Sequence, residues 1–384
     1  MNDLIFDEVQ TIDVPGLLNG AKYYKVISKI MENIHSKIPA QVYDLTKIAA
    51  PTDIREEYFN GVNYKRAVMY LLSNGCEWAL KSAHGCTVCG HLAKQTRDEN
   101  IISVENYLKQ FNSEFNRIDF ENYPLLNLYN NGSFLNSNEI PSDARRKMLS
   151  SVNSNPYIKM LVLETRPEFV QEEVVDEIAQ MVKDKHVEIA IGLEVADDFL
   201  RYICLNKGFS LKKYQQAADI LCGRLHLRTY VMLKPPFLTE RESISQTVET
   251  IKQAFSAGST TVSLETCTIQ NFTLTNYLYE KSYYKTAWLW SIIEVVKQTA
   301  NLGKLVVGMF QFYPSPSKVP YNCSKCSDMV MECIKKYNRT LDVKVFDGLT
   351  CDCRMKWEKE LMEEAEPFTK RLDSIWKNLL KADH

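Results

Sequence analysis

The chain has 384 residues, 45% of them hydrophobic and 24% charged, proportions that support a sizeable buried core and exclude a disordered or fibrous chain. Its 46 Lys and Arg against 48 Asp and Glu give a net charge of −2, which excludes a globally basic, phosphate-neutralising surface and leaves only a local patch open. No stretch approaches the roughly 20 apolar residues that a membrane helix needs. Met1 to Glu8 carries acidic charge and no long apolar run, so a cytoplasmic protein without membrane contact is expected.

In chain order, Ala21–His35 has helical periodicity through Tyr24, Ile27, Ile30, Met31 and Ile34 and ends before Pro39. Pro51 and the acidic Asp53–Glu57 read as the start of another short helix. Short apolar, β-branched or aromatic runs then alternate with longer amphipathic ones. The strand candidates are Ala67–Leu72, Leu125–Tyr129, Lys159–Leu163, Val187–Leu193, Leu225–Leu233, Thr260–Glu265 and Lys304–Phe310. The helix candidates are Val104–Phe115, Ser142–Val152, Gln171–Lys183, Leu211–Cys222, Glu242–Ala257 and Lys285–Ala300. Successive strand-then-helix units imply a parallel sheet with right-handed crossovers. The expected fold is α/β: a partial (β/α)6-type TIM-like barrel at 61–312, an N-terminal helical extension at 1–60, and a C-terminal Cys-rich, helical tail at 313–384.

Eleven cysteines, an odd count in a chain read as cytoplasmic, argue against a disulfide framework. Cys204, Cys222, Cys267 and Cys333 stand alone and read as small buried hydrophobes. Cys76, Cys86 and Cys89 form C-x9-C-x2-C. Three thiolates on one loop hold three irons of a 4Fe-4S cube and leave the fourth to the amino and carboxylate groups of a methionine moiety. That places a sulfonium beside the cluster for one-electron cleavage to a 5′-deoxyadenosyl radical. The competing reading is a Cys3His zinc site completed by His84 or His91. Cys323, Cys326, Cys351 and Cys353, spaced C-x2-C and C-x-C, fit a closed tetrahedral zinc site, with an auxiliary iron–sulfur cluster as the competitor.

Chemistry in such barrels sits at the C-terminal ends of the strands. Polar residues fall there repeatedly: Asn130-Asn131-Gly132-Ser133, Glu164-Thr165-Arg166-Pro167, Glu194, Lys234-Pro235-Pro236 and Glu265-Thr266-Cys267. Arg228, Tyr230, Met232 and Lys234 alternate on one face and read as cavity lining, or as packing. Lys234, Glu265 and Tyr230 are the candidate substrate-contacting, catalytic groups, with Lys234 suited to an anionic substrate group. Trp288 and Trp290 read as helix packing.

The sequence Gly85-Cys86-Thr87-Val88-Cys89-Gly90, ten positions after Cys76, resembles the radical S-adenosylmethionine superfamily, with the long gap of its elongator-type branch. Further segments resemble the radical subunit of archaeosine synthase. They are Asn131-Gly132-Ser133-Phe134-Leu135 with Glu139-Ile140-Pro141, Glu164-Thr165-Arg166-Pro167-Glu168-Phe169-Val170, Gly192-Leu193-Glu194 and Asn206-Lys207-Gly208-Phe209. Leu233-Lys234-Pro235-Pro236-Phe237, Trp288-Leu289-Trp290-Ser291 and the Cys323–Trp357 segment complete the set. Tyr321 stands where a histidine is expected in that group, and Lys285-Thr286-Ala287 where prolines are expected.

The resemblance implies that Asn131, Gly132 and Ser133 receive the methionyl ammonium. It also implies that Glu164, Arg166, Glu194 and Lys207 belong to the cofactor or substrate shell, with a Glu164–Arg166 salt bridge as the plain structural alternative. It implies C–N bond cleavage on a lysine-modified deazaguanine of tRNA, a transferase subunit as partner and an electron donor of flavodoxin or ferredoxin type. Two other readings stand beside it. One is radical chemistry on a free small molecule, such as an amino acid or natural-product intermediate, with cleavage at a different sulfonium bond left open. The other is a non-catalytic zinc-binding interaction module.

Overall fold

The computed structural model describes residues 17–81, 84–97, 102–310 and 312–382, so Met1 to Glu8 lies outside the described residues. Eight strands form one sheet in sequence order: β1 (Ala50–Phe59), β2 (Val62–Tyr70), β3 (Leu125–Tyr129), β4 (Met160–Thr165), β5 (His186–Glu194), β6 (His226–Leu233), β7 (Thr261–Thr266) and β8 (Leu305–Val307). β1 pairs antiparallel with β2, and every later pair is parallel. The result is a half-barrel with helices outside it. The inner strands are buried on both faces, which is why β4 and β5 read as nearly continuous apolar runs.

All seven strand candidates are present. The first strand is a correction: Asp53–Glu57 begins no helix but lies in β1, so the sheet starts before residue 61. Alternation decides it. Arg55, Glu57 and Phe59 turn inward while Ile54 and Glu56 face solvent. Asn60 and Gly61, with φ of 48° and 82°, make the tight hairpin turn to β2 that an Asn-Gly pair favours.

The helices are α1 (Leu17–Ser36), α2 (Glu77–Leu80), α3 (Val104–Phe115), α4 (Ser142–Ser154), α5 (Glu172–Met181), α6 (Asp198–Leu205), α7 (Leu211–Leu221), α8 (Glu240–Ser256), α9 (Leu274–Glu280), α10 (Leu289–Thr299), α11 (Ser327–Thr340), α12 (Cys353–Met362) and α13 (Phe368–Ala382); α2 to α10 lie in the crossovers between strands. Several start on side-chain caps: Ser103, Asp197, Ser210, Thr273, and Thr239 in a reciprocal box with Glu242. α1 and α13, from opposite ends of the chain, share a core with α6 through Ile27, Met31, Ile203, Leu372 and Trp376. Among the described residues no helix is long and apolar enough to cross a membrane.

The barrel interior is closed low down by charge rather than by aliphatic layers. Arg228 donates to Glu188 at 2.5 Å and to Glu57 at 2.8 Å. Glu57 also accepts from Arg66 at 2.5 Å and Lys304 at 3.1 Å. Burial opposes ionisation of Glu57, yet Arg228, Arg66 and Lys304 hold its carboxyl down to about 2. The hairpin thus reaches across the barrel to β6 and to the residue before β8. Replacing Arg228 by Met leaves buried Glu188 without its guanidinium and takes one of three cations from Glu57, and we expect a loss of about 3–5 kcal/mol in urea unfolding. A loss below 1 kcal/mol would show the network to be dispensable.

Candidate metal centres and cavity

A cavity of about 970 Å³ runs from the strand C-termini into the barrel. Cys76, Cys86 and Cys89 all stand on its wall. Two short loops carry them, and both loops are held by polar side chains. Cys76 follows β2, and its amide donates to Gln95 Oε1 at 3.3 Å. Gln95 Nε2 in turn donates to the Asn131 carbonyl at 2.9 Å and the Asn130 carbonyl at 3.3 Å. On the second loop, Thr87 donates through its amide to Leu205 O at 3.1 Å and through its hydroxyl to Cys204 O at 2.5 Å. Asn206 Nδ2 donates to Gly85 O at 2.7 Å, and Trp78 Nε1 to Asn206 O at 2.7 Å. Gly90 N donates to Gln270 Oε1 at 2.8 Å. The loops are therefore tied to the α6 C-terminus, to the loop after β7 and to each other.

Spacing distinguishes the two cysteine groups. Cys323, Cys326, Cys351 and Cys353 have all four sulfurs within 4.8 Å of one another. Among the described residues Cys76, Cys86 and Cys89 form no group that close with one another or with a His, Asp or Glu. Of the two histidines in the Cys3His alternative, His84 faces His35, with ring centroids 6.3 Å apart. His91 does line the cavity, and burial lowers it to about 4, so it is neutral. Burial also pushes the Cys76 thiol up and the Cys89 thiol up to about 12, so these two as thiolates require a cationic partner.

The loop after β3 carries the other half of the site. Asn131 is left-handed, with φ of 56°. Its amide and that of Asn130 donate to Glu164 Oε1 at 2.7 and 3.1 Å. Burial, opposed by those amides, raises Glu164 to about 7. Arg166 lies between the rings of Trp78 and Phe209, 4.8 and 5.4 Å from their centroids, and its ion pair goes to Glu168, not to Glu164. Lys207 pairs with Glu194 at 2.9 Å. Gly192 makes room for that pair, since a Cβ there would lie 2.3 Å from Glu194 Oε1. Asn131, Gly132, Glu164, Arg166, Glu194 and Lys207 all line the cavity.

Tyr230 and Glu265 line it too, deeper in. The Tyr230 and Tyr129 hydroxyls share a hydrogen bond of 2.7 Å, and Glu265 accepts from Ser263 at 2.7 Å. Two expectations are corrected. Lys234 does not line the cavity; it is left-handed, with φ of 63°, so the inward alternation of Arg228, Tyr230 and Met232 breaks at it. Its ammonium pairs with buried Glu240 at 3.0 Å beneath α8. Ser133 is fully buried behind the wall, its amide given to Glu139 and its hydroxyl accepting from Arg166 N.

Glu139 was not among the candidates, although it sat inside a motif. Its Oε1 accepts from Glu77 N at 3.1 Å and Asn136 Nδ2 at 3.2 Å, and its Oε2 from Ser133 N at 2.5 Å and Asn130 Nδ2 at 3.1 Å. It thereby joins the Cys76 loop to the Asn131 loop. Gln95, Trp78 and Asn206 do similar work, and nothing in their local pattern announced it.

The residues fit a thiolate-bound cluster with a polar ligand beside it. Three thiols face the cavity, and the buried Asn131 amide oxygen and nitrogen, Glu194 Oε2 and Thr266 Oγ1 have no partner within the protein. Unpaired buried polar atoms converging on one cavity mark a place for a polar ligand. At the tetrad, the sulfurs of Cys323 and Cys326, Cys323 and Cys351, and Cys326 and Cys353 are 3.5, 3.6 and 3.5 Å apart, and Trp290 Nε1 donates to Cys353 Sγ at 3.3 Å.

A half-barrel with a cysteine-lined cavity at its strand ends is the arrangement expected from the resemblance to the radical S-adenosylmethionine superfamily. No family model matches the chain. Archaeosine synthase subunit beta of Methanosarcina acetivorans is 32% identical over 314 residues, spanning 81% of this chain and 88% of its own. Archaeosine synthase subunit beta of Thermococcus kodakarensis is 33% identical over 265 residues, spanning 67% and 79%. Among solved structures, the Elp3 of Methanocaldococcus infernus with its N-terminus deleted superposes with a TM-score of 0.46 at 15% identity, over 61% of this chain and 59% of its own. The chain belongs to the archaeosine synthase subunit beta family.

Two outcomes are expected here. All four partners of Glu139 are donors, so Glu139→Gln turns an NH2 against two of them; unfolding free energy falls by about 1–3 kcal/mol and the bound iron of anaerobically reconstituted protein falls with it. Wild-type stability and iron in that variant would remove Glu139 from the site's framework. For Glu164, the folded value lies above the ordinary 4.5 at about 7. Its stabilising contribution is complete below the ordinary value and is lost as pH rises through 7. Glu164→Gln accordingly flattens the fall in cluster-free unfolding free energy between those pH values.

Proposed function

We propose that this chain is a radical S-adenosylmethionine enzyme that removes a hydrogen atom from, and thereby breaks a C–N bond of, a lysine-modified deazaguanine in tRNA. The observation that carries the first half is the set of three cavity-facing thiols beside a strand-end loop whose buried Asn131 side chain has no protein partner. The family supports the second half, because the relatives named above are archaeosine synthase subunits.

Cys76, Cys86 and Cys89 would hold a 4Fe-4S cluster. When bound, that cluster with S-adenosylmethionine supplies a primary carbon radical by one-electron cleavage of the sulfonium. The chain's own residues do the positioning. The Asn131–Gly132 loop offers backbone oxygens to an ammonium. Lys207 and Arg166 place cations beside the cluster loops, suited to a carboxylate. Glu164 offers a carboxyl to hydroxyl groups. Glu265 and Tyr230, deeper in the cavity, contact substrate, while Lys234, locked to Glu240, serves the framework. The walls exclude water from a reactive radical.

For the tetrad we propose zinc. Sulfurs on a tetrahedral ion with bonds of about 2.3 Å lie about 3.8 Å apart, close to the observed 3.5–3.6 Å. A reduced electron-transfer protein of flavodoxin or ferredoxin type would supply electrons, and a transferase subunit would supply the modified tRNA.

Anaerobic reconstitution tests this reading. Brown protein with about four irons and one zinc, forming 5′-deoxyadenosine with dithionite, is expected. Cys76→Ala, Cys86→Ala and Cys89→Ala should each abolish 5′-deoxyadenosine. Colourless protein inert toward S-adenosylmethionine would overturn the enzyme reading. A tRNA gel shift that fails at low salt would move the substrate to a free small molecule.

A further inference from the structure

The sheet is open. β1 and β8 are its two ends, and β8 has only three residues, Leu305–Val307. An open edge leaves backbone donors and acceptors that water or another element must satisfy. Here a helix does it. Asn338 of α11 accepts from Val307 N at 2.8 Å through Oδ1 and donates to Val307 O at 2.7 Å through Nδ2, the pattern a neighbouring strand would offer. Tyr337 of the same helix donates to Leu305 O at 2.9 Å. On the other side of the gap, Asn63 Nδ2 donates to the Arg339 carbonyl at 2.9 Å, and Arg339 Nε to Glu56 at 2.6 Å. α11 therefore bridges the edges that the strands leave unpaired.

The same helix is part of the cavity. Met331, Lys335, Asn338 and Arg339 line it, whereas none of the four tetrad cysteines does. The helix begins within the tetrad: Cys326 is its N-cap residue, and Ser327 Oγ accepts from the amides of Asn322 and Cys323 at 3.0 and 3.1 Å. Cys351 and Cys353 arrive from the segment entering α12, which is anchored by Trp357 donating to Ser291 at 2.8 Å. An ion joining the two cysteine pairs thus fixes the start of α11 against α10 and α12.

We infer that the C-terminal metal site is a positioning site for the substrate cavity: it pins α11 as the stave that closes the barrel between β8 and β1. The Cys76, Cys86 and Cys89 loops hang on other elements. Losing the ion loosens the lateral wall and leaves the cluster end intact. The inference rests on the tetrad holding an ion, and metal analysis of the untreated protein checks that separately: no zinc or other ion there overturns the reading of the tetrad itself.

The test uses intact, reconstituted protein, stripped of its tetrad ion with a zinc chelator, and a Cys351→Ser/Cys353→Ser variant. Hydrogen exchange at the Val307 amide and along α11 should speed up by at least about tenfold, since the edge then opens locally. Readdition of zinc should reverse this in the chelated protein. Iron content should stay at its untreated value, and the dissociation constant for S-adenosylmethionine should change less than about twofold. Asn338→Ala should speed Val307 exchange with the zinc still bound, which keeps the test open if the cysteine variant fails to fold. Unchanged Val307 exchange after zinc removal would overturn the inference. So would iron and S-adenosylmethionine affinity falling in step with the zinc, which would make the ion a general structural prop.

Discussion

Three thiols must be presented to one cavity from two loops that have little regular structure of their own. Their placement depends on buried side chains that reach across the chain. Glu139 holds the amides beyond Cys76 and within the Asn131 loop at once, and Gln95 joins the same two segments from the other side. Asn206 and Trp78 do the equivalent for the Cys86 loop. Losing a carboxylate that accepts four donors is costly, because the amide of Ser133 and the side-chain amide of Asn130 lose a buried partner together.

The lower half of the barrel solves a different problem. Glu57, Glu188, Arg66, Arg228 and Lys304 are charged groups in a nearly dry interior, and they are tolerable because each finds an opposite partner. They also lock the hairpin of β1 and β2 across the barrel. Above them the cavity turns aromatic and acidic, with Tyr70, Tyr129, Tyr230 and Glu265. A cavity of about 970 Å³ has room for a nucleoside cofactor and a second polar molecule together.

Much of this was legible in the sequence. Seven strands and the helix over Val104–Phe115 follow from hydrophobic periodicity, and the strand-end residues Asn131, Gly132, Glu164, Arg166, Glu194 and Glu265 are among those that line the cavity. The misses have physical causes. β1 hid because a proline followed by acidic residues imitates a helix start, while the Asn60-Gly61 turn signal that outranks it went unread. Lys234 was placed by strand parity, which holds only while the backbone stays extended; one left-handed residue redirected it to Glu240. Ser133 was placed by its neighbours, yet it stands behind the wall, its carbonyl accepting from Asn136 N, its amide donating to Glu139 and its hydroxyl accepting from Arg166 N. Glu139, Gln95 and the wall formed by α11 act between segments distant in sequence, and no local pattern encodes that.

The central claim is that the cluster held by Cys76, Cys86 and Cys89 binds the methionyl end of S-adenosylmethionine at an iron with no protein ligand. Electron–nuclear double resonance on the reduced protein, with the cofactor labelled with nitrogen-15 at its amino group, addresses it directly. A resolved hyperfine coupling from that nitrogen is the predicted result. No coupling, with a cluster spectrum unaltered by adding S-adenosylmethionine, would contradict the account.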